Sequence, residues 1–490
     1  MSEPFDLIVV GGGVNGAGVA RDAAGRGARV LLLEARDLAS GTSSASTKLV
    51  HGGLRYLEYR EFGLVREALQ ERERLWRIAP HIVGPMRFVL PVVPGMRPRW
   101  MLRAGLALYD LLAAGGSLPR TRTLDLARDP AGAPLLPGPT RAFEYSDCWV
   151  DDTRLVVLNA MDARERGATV LTRTPVTAAR REDGLWQVTT SAGTFAGQAL
   201  VNAAGPAAET FDRMIGVTPR FAIRPVRGSH IVVRELFDHD RPYIFQLPDT
   251  RIMFAIPWEG DFTLIGTTDA DHDGPLDAVS ASEAEIDYLL AAIKRFIDTK
   301  ITRADVVFTY AGVRALVDDG SGRPEAATRG YRLPLSPVAE GAALLGIYGG
   351  KITSYRHVAE EAVSKLARRV PALSGPAWTV REPLPGGDFP REGQADLIAA
   401  LQREYAFLSE RDARRIGRAY GTRAAKWLGN AKGWSDLGRA FGAGLSEAEV
   451  DYLRREEWAG TAEDVLWRRT KLGLHMSEAE QAALAAYLGS

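Results

Sequence analysis

The chain has almost no cysteine. Its 490 residues include one, Cys148, so a single chain cannot form an internal disulfide, a Cys-x-x-Cys redox pair, a thiolate zinc cluster or an iron–sulfur cage. This composition fits a reducing compartment. We expect no metal site.

Net charge and long apolar runs are missing as well. Lys plus Arg and Asp plus Glu both number 61, and without a block of like charges no nucleic-acid partner is expected. The N-terminus has no cationic segment before its first apolar run, so we expect no signal peptide. No apolar stretch reaches about 18 residues, so any membrane contact should be peripheral.

The rest of the composition is that of an ordinary globular protein. Hydrophobic residues make up 46% and charged residues 25%, which excludes disordered, collagenous and fibrous classes. At roughly 150 residues per domain, the length predicts two to four structural units.

The N-terminus has the pattern of a dinucleotide-binding β-α-β unit. An apolar run over residues 5–10 predicts a parallel strand, residues 14–26 a helix, and residues 28–33 a second strand. Between the first strand and the helix stands Gly-Gly-Gly-Val-Asn-Gly at 11–16. This matches G-x-G-x-x-G, in which glycines permit a tight turn and let backbone N–H groups approach a pyrophosphate.

Glu34 ends the second predicted strand, 18 residues after Gly16. A carboxylate there can accept both hydroxyls of an adenosine ribose, which favours NAD or FAD over NADP. The alternative is a glycine-rich turn followed by a surface glutamate. The turn itself does not separate NAD from FAD.

A hydroxyl-rich segment follows at residues 40–47, where six of eight side chains are Ser or Thr. Such a segment suits an anionic, hydrogen-bonding ligand better than a core. A solvated loop would also explain the hydroxyls, but not the His-Gly-Gly-Leu-Arg-Tyr at 51–56 that comes after them.

Several motifs together carry a family resemblance. They are GGGVNGAG at 11–18, SSASTKLVHGGLRYLE at 43–58, FEYSDCWVDDTRL at 143–155, RGSHIVV at 227–233, IGTTD at 265–269, GVR at 312–314 and YGGKITSYR at 348–356, with LGNAKGWSDLG at 428–438 and LWRRTKLG at 466–473. The sequence resembles the FAD-dependent glycerol-3-phosphate dehydrogenases, which belong to a wider group with the D-amino-acid oxidases. The similar motifs extend over nearly the whole chain.

The resemblance implies a mixed α/β (α+β) fold. A Rossmann-like FAD-binding domain would comprise residues 1–80, 150–220 and 300–383, and a β-sheet substrate domain residues 81–149 and 221–299. A helical C-terminal cap domain would span 388–490, where Ala, Leu, Glu and Arg recur at helical spacing and strand patterns vanish.

The resemblance also implies a reaction. sn-Glycerol 3-phosphate and non-covalent FAD would give dihydroxyacetone phosphate and reduced flavin, which a membrane quinone would reoxidise. The protein would then be cytoplasmic and associated peripherally with the inner face of the cell membrane. Membrane lipid would be a contact, and a homodimer is left open.

Matching the motifs residue by residue gives the expected FAD contacts. Val176 would touch the adenine through its backbone, and residues 202–205 would lie on the pyrophosphate side. The full set is Gly11, Gly13, Asn15, Gly16, Glu34, Thr42, Ser43, Ser46, Lys48, His51, Gly52, Gly53, Val176, Ala204, Gly205, Gly349, Gly350 and Thr353.

The same matching gives the substrate contacts. A phosphate needs fixed cations, and Arg55, Arg314 and Lys351 stand among apolar or glycine neighbours, which is unusual for surface charges. Tyr56 and Thr268 would bind the glycerol oxygens.

For the proton acceptor there are two candidates. His230 is the preferred base, because a histidine can accept the hydroxyl proton near neutral pH, although it could also only orient the substrate. Arg314 competes with it, but the very high pKa of an arginine makes it the weaker base.

Residues 97–112 form the best candidate for a membrane-contacting helix. Basic side chains beside Trp100 and several leucines are typical of an interfacial helix, with Arg99, Arg103 and Asp110 on one stripe. The alternative is a helix packed into the substrate domain.

Three other functions stay open from the sequence. A glycerol-3-phosphate oxidase would share the site and pass electrons to O2, and another amino-acid-oxidase-like flavoprotein would need one carboxylate-binding arginine instead of three cations. In a non-catalytic FAD-binding or RNA-modifying partner protein, His230 and the cations would be incidental.

Overall fold

The computed structural model describes residues 3–93, 96–249, 251–318 and 330–489. Two large sheets organise it. In the part described, the first sheet has seven strands, in the order Thr169–Leu171, Val30–Leu33, Phe5–Val10, Gly193–Asn202, Leu185–Thr190 and Val176–Glu182, with Ala343–Gly346 also paired to Gly193–Asn202.

The first sheet is parallel where it carries the dinucleotide turn. Phe5–Val10 pairs in parallel with both Val30–Leu33 and Gly193–Asn202, whereas Leu185–Thr190 continues the sheet in the antiparallel sense. The side chains from Leu7 to Val10 are buried, as expected of a strand covered on both faces. The predicted β-α-β unit is therefore confirmed.

The second sheet is almost entirely antiparallel. Across the described residues its ten strands run in the order Ala270–Asp271, Ile223–Arg234, Phe262–Gly266, Ile252–Trp258, Tyr243–Gln246, Val83–Pro91, Arg141–Val150 and Leu49–Val50, with Val306–Val317 beside Ile223–Arg234 and Arg122–Asp125 beside Arg141–Val150.

Two strands of the second sheet, Leu49–Val50 and Val306–Val317, lie in segments that we grouped with the FAD-binding domain. Val306–Val317 pairs along nearly all of Ile223–Arg234, whereas the sequence grouped residues 300–383 with the FAD-binding segments. The apolar residues of 306–317 indicate a strand, but they do not determine which strand it pairs with. The division of the chain into domains stays a prediction.

Helices cover the sheets and form most of the C-terminal region. They are Val14–Gly25, Phe62–Ile78, Arg99–Leu112, Asp152–Glu165, Ala208–Met214, Glu283–Ile293, Tyr355–Leu366, Gln394–Glu404, Glu410–Tyr420, Ala425–Leu428, Glu447–Glu457 and Glu478–Leu488, with a π-helical turn at Asp464–Arg469. Strands do not vanish after 388 as predicted, since Ala440–Gly442 and Leu445–Ser446 form a small hairpin.

Buried ion pairs join the C-terminal region to the first sheet. Arg469 donates to both carboxylate oxygens of Asp37 at 2.8 and 2.9 Å, and Arg468 donates to the same carboxylate at 2.7 Å. Asp37 and Arg469 are almost completely buried. Lys471 pairs with Asp151 at 2.5 Å. These charges are each compensated, which is the condition for burying them.

Candidate active site

The turn between Phe5–Val10 and Val14–Gly25 is built so that only glycine fits at two of its positions. A Cβ on Gly11, whose φ is +112°, would lie 2.4 Å from the carbonyl oxygen of Ala203, and a Cβ on Gly16 would lie 1.9 Å from the carbonyl oxygen of Gly11. The backbone is thereby left open at the start of the helix, where the helix dipole favours an anion.

The Glu34 carboxylate lies against this turn. It accepts hydrogen bonds from the backbone N–H groups of Gly12 at 2.6 Å and Arg36 at 2.8 Å. Burial raises the pKa of Glu34, and these two hydrogen bonds oppose that shift. Because each carboxylate oxygen can accept more than one hydrogen bond, Glu34 keeps capacity for a ribose.

One cavity of about 1230 Å³ runs from this turn to the second sheet. Most residues assigned to FAD line it, namely Gly11, Gly13, Asn15, Glu34, Thr42, Ser43, Ser46, His51, Gly53, Val176, Ala204, Gly205, Gly349, Gly350 and Thr353.

Three residues assigned to FAD do not line the cavity. Gly16 lies beneath the turn, against Gly11. The Lys48 ammonium is 2.9 Å from the Asp152 carboxylate and donates to the Ser44 carbonyl. The Gly52 N–H donates to the Tyr109 hydroxyl at 2.8 Å. Lys48 and Gly52 therefore direct their polar groups to other protein groups and not to the cavity.

The polar atoms of the cavity fit a dinucleotide. Asn15 lines it, and among the described residues the buried Asn15 Oδ1 has no hydrogen-bond partner. Ser43 Oγ accepts from the Val14 N–H at 3.0 Å, so the hydroxyl segment closes over the start of the helix. An open turn, a ribose-binding carboxylate and an unsatisfied buried carbonyl suit the pyrophosphate and hydroxyl groups of FAD.

The three predicted phosphate-binding cations line the same cavity. Lys351 Nζ lies 3.5 Å from the centre of the Tyr56 ring. Arg55 donates to the Tyr59 hydroxyl at 3.3 Å, and Nε of Arg55 is buried with no hydrogen-bond partner among the described residues. The structure thus brings Arg55, Tyr56, Arg314 and Lys351 together.

Arg314 is oriented by a short segment after the strand Phe262–Gly266. Its guanidinium donates to the Thr267 hydroxyl at 2.9 Å, to the Thr268 carbonyl at 3.3 Å and to the Asp269 carboxylate. Thr267 and Asp269 line the cavity, whereas the predicted Thr268 does not. Side chains alternate along an extended segment, so the threonine on the cavity side is Thr267.

His230 lies behind the cavity wall. Its Nε2 is 3.0 Å from the Thr47 hydroxyl, and its ring stacks on Tyr310 with centres 4.7 Å apart. Burial, then the positive charges of Arg314 and Lys48, hold the pKa of His230 well below its usual value. Thr47 lines the cavity, so the neutral imidazole reaches the cavity through the threonine hydroxyl.

Thr47, Thr267 and Asp269 were not among the predicted site residues. All three were within reach of sequence reasoning, because they stand inside the SSASTKLVHGG and IGTTD motifs. The motifs alone do not show the direction of each side chain. For Thr267 and Asp269, that direction follows from the strand Phe262–Gly266 before them, which pairs with Ile223–Arg234.

The cavity also has an apolar part beneath the helix Arg99–Leu112. Its walls are aliphatic and aromatic side chains from this helix and the second sheet, including Met101, Leu102, Leu108, Leu90, Ile244 and Phe254. Leu102, Leu106 and Tyr109 of the helix are buried, while Trp100 is 70% and Leu111 69% exposed. The helix is therefore packed on one side and exposes apolar side chains on the other.

Comparisons with known proteins identify the family. The profile described as "FAD dependent oxidoreductase" matches residues 6–354, and that described as "C-terminal domain of alpha-glycerophosphate oxidase" matches residues 377–488. The chain belongs to the FAD-dependent oxidoreductases. FAD is accordingly its cofactor, and the predicted mixed α/β fold and family resemblance are confirmed.

Individual relatives match over almost their whole length. The chain is 50% identical to D-erythritol 1-phosphate dehydrogenase of Brucella abortus over 99% of this chain and 98% of the relative. It is 49% identical to the aerobic glycerol-3-phosphate dehydrogenase of Escherichia coli over 99% and 97%. A crystal structure of the Bacillus halodurans glycerol-3-phosphate dehydrogenase complexed with FAD is 25% identical, with a TM-score of 0.78 over 100% of this chain and 94% of that chain.

Proposed function

We propose that the protein oxidises sn-glycerol 3-phosphate to dihydroxyacetone phosphate, with FAD as the hydride acceptor. The observation that carries this proposal is a single cavity lined both by the dinucleotide turn and by Arg55, Arg314 and Lys351. Three cations suit a phosphate dianion better than the single carboxylate of an amino acid. Relatives with the glycerol-3-phosphate dehydrogenase name support the same substrate.

Different residues of the cavity bind the phosphate and transfer the proton. Arg55, Arg314 and Lys351 bind the phosphate and fix the substrate. The Thr47 hydroxyl accepts the proton of the substrate's secondary alcohol while it passes its own proton to Nε2 of His230, which is neutral and can accept it. Bound FAD would supply the acceptor for the hydride that leaves the carbon bearing this alcohol. Arg314, held by Asp269, serves as a cation and not as the base.

A four-carbon polyol phosphate is the second candidate substrate. The relative named D-erythritol 1-phosphate dehydrogenase is as similar to the chain as those named glycerol-3-phosphate dehydrogenase. A terminal phosphate beside a secondary alcohol is common to both substrates, so the three cations and Thr47 would act on either.

Anaerobic turnover tests these substrates and the competing functions together. The purified holoenzyme should reduce a soluble quinone analogue with sn-glycerol 3-phosphate, and acid precipitation should release its flavin, because FAD is held non-covalently. Faster turnover of D-erythritol 1-phosphate would assign the second substrate. Rapid reduction of O2 would indicate an oxidase, oxidation of amino acids an amino-acid-oxidase-like enzyme, and no turnover a non-catalytic protein.

Electrons would leave for a membrane quinone at the apolar part of the cavity. Met101 lines this part and is 43% exposed, so the apolar walls reach the surface at the helix Arg99–Leu112. The same helix exposes Trp100 and Leu111 beside Arg99 and Arg103. Apolar and basic side chains on one face suit contact with anionic lipid.

This arrangement corresponds to a peripheral protein on the inner face of the cell membrane. Across the described residues, none of the helices has the length and hydropathy to cross a bilayer. Binding to anionic vesicles, followed by flotation, tests the membrane contact, and light scattering of the same preparation tests a homodimer.

A further inference from the structure

Glu285, in the first turn of the helix Glu283–Ile293, is a buried carboxylate with an unusually large set of donors. Oε1 accepts from the hydroxyls of Ser229 at 2.9 Å and Thr268 at 2.7 Å. Oε2 accepts from the N–H and hydroxyl of Ser282 at 3.0 and 2.8 Å, and lies 2.8 Å from Arg227. Burial raises the pKa of Glu285, but the hydrogen bonds from Ser282, Thr268 and Ser229 outweigh it and lower the pKa to about 2.

These bonds connect the helix to the segment that holds Arg314. Thr268 is fixed twice, because its hydroxyl donates to Glu285 and accepts from the Ser229 N–H at 2.9 Å. Its neighbours Thr267 and Asp269 point the other way, line the cavity and bind the Arg314 guanidinium. Glu285 itself does not line the cavity.

We propose that Glu285 is a positioning residue that fixes the direction of the Arg314 guanidinium through Thr268. The proposal rests on the proposed function, since it assumes that Arg314 binds the substrate phosphate. A guanidinium binds phosphate in a planar, bidentate geometry, so a rotated or mobile Arg314 loses affinity even though its charge is unchanged. The carboxylate supplies what Thr268 needs, a fixed acceptor in a buried place.

The competing explanation is that Glu285 only caps its helix. Ser282 and Glu285 form a reciprocal capping box, which alone stabilises a helix. Two variants separate the roles. Glu285→Gln keeps the side-chain size but replaces one acceptor oxygen by an NH2 group. Thr268→Val leaves the capping box intact and removes the link from Glu285 to the Arg314 segment, together with the acceptor of the Ser229 N–H.

Glu283→Gln is the matched control. Glu283 lies in the same helical turn, but its side chain is 74% exposed and pairs with Arg303 outside the cavity. Thr268→Ser is the conservative variant, because it keeps the hydroxyl that donates to Glu285.

The experiment compares these holoenzymes in two assays. Calorimetric titration with inorganic phosphate measures the cation site without turnover, and steady-state kinetics with sn-glycerol 3-phosphate separates KM from kcat. We expect Glu285→Gln and Thr268→Val to weaken phosphate binding and raise KM by about tenfold, the loss of roughly one hydrogen bond to a charged group, with kcat changed less than KM. Glu283→Gln and Thr268→Ser should match the unmodified enzyme.

An unchanged phosphate affinity in Thr268→Val would overturn the proposal and leave Glu285 as a helix cap. Should Glu285→Gln fail to fold, Thr268→Val still decides the question. If the unmodified enzyme oxidises neither polyol phosphate, the proposed function fails, while the phosphate titration still reports whether Glu285 positions Arg314.

Discussion

The Thr47 hydroxyl lies 3.0 Å from Nε2 of His230, and of these two residues Thr47 alone lines the cavity. A proton can therefore move between the cavity and the imidazole by way of the threonine. Replacing Thr47 by Val keeps the shape of the side chain and removes the relay. We expect kcat for sn-glycerol 3-phosphate to fall by about 10²-fold, the lower range for a lost proton-transfer group.

Thr47→Ser is the control for this change, because it retains the hydroxyl and should keep most of the activity. Equal losses in Thr47→Val and Thr47→Ser would show that the methyl group, and not the hydroxyl, is needed.

The pH dependence of turnover should report the depressed pKa of His230. Burial and the nearby cations favour the neutral base, so the acidic limb of kcat should lie below the ordinary histidine pKa of about 6.5. His230→Ala should lower kcat by about 10²–10⁴-fold, with less effect on KM, and remove this limb. Stopped-flow flavin reduction measures the profile. If His230→Ala retains the acidic limb, another group is the base.

Removing any one of the three cations should weaken binding of the substrate phosphate without releasing FAD. Replacing Arg55, Arg314 or Lys351 by Ala removes a charge-assisted contact of about 1.5–3 kcal/mol, so kcat/KM for sn-glycerol 3-phosphate should fall tenfold or more while the flavin stays bound. Arg180, 72% exposed and paired with Glu182, supplies a control variant.

Free glycerol shows whether such a loss comes from weaker phosphate binding or from a general loss of activity. Lacking phosphate, it should react equally slowly with the variants and the unmodified enzyme. If the variants lose kcat/KM equally for glycerol and for glycerol 3-phosphate, the cations do not bind the phosphate.

His81 should make stability depend on pH. It is fully buried, and burial, then the charge of Arg154, lowers its pKa to about 3. The unfolded chain takes up a proton near pH 6.5 and the folded chain does not. Stability should therefore fall with pH below about 6.5, by about 1.4 kcal/mol per pH unit from this residue.

The measurement is urea unfolding of the holoenzyme at pH 7 and pH 5. His81→Gln should lose less stability between the two values than the unmodified protein, whatever its stability at pH 7. An identical loss would mean that His81 remains neutral in the unfolded chain or protonates in the folded one.

The exposed side of the helix Arg99–Leu112 should carry membrane binding. Changing Trp100 and Leu111 to Glu should release the enzyme from anionic vesicles and lower turnover with a long-chain quinone, with activity towards a soluble dye intact. Leu106 of the same helix is unsuitable for this test, because it is 1% exposed and belongs to the core. Val338→Glu, at an equally exposed apolar residue in another segment, should leave vesicle binding unchanged.

Local patterns predicted the parts of the site that are formed by neighbours in sequence. The glycine turn and Glu34 follow from a strand, a helix and a second strand within 34 residues, and hydrophobic periodicity detects each of them. The cations could be assigned because the motifs around them resemble a known family.

Contacts between distant segments could not be predicted in this way. Thr47 and His230 are separated by 183 residues, and Ser229 and Glu285 by 56. Which side chain meets which depends on strand register, and a shift of one residue would exchange Thr267 for Thr268 on the cavity side. Helical periodicity likewise showed the two faces of Arg99–Leu112 without showing which one is packed.

The pairing of Asp37 with Arg469 also sets an order of events during synthesis. Asp37 follows the strand that ends beside Glu34, and its partner comes 432 residues later. A ribosome adding about 5–20 residues per second takes roughly 20 to 90 seconds to cover that separation. Until then Asp37 has neither arginine partner, so its carboxylate cannot be buried with its charge compensated. The strand beside the glycine turn is thus made by the first residues translated, and the carboxylate that follows it is paired by some of the last described.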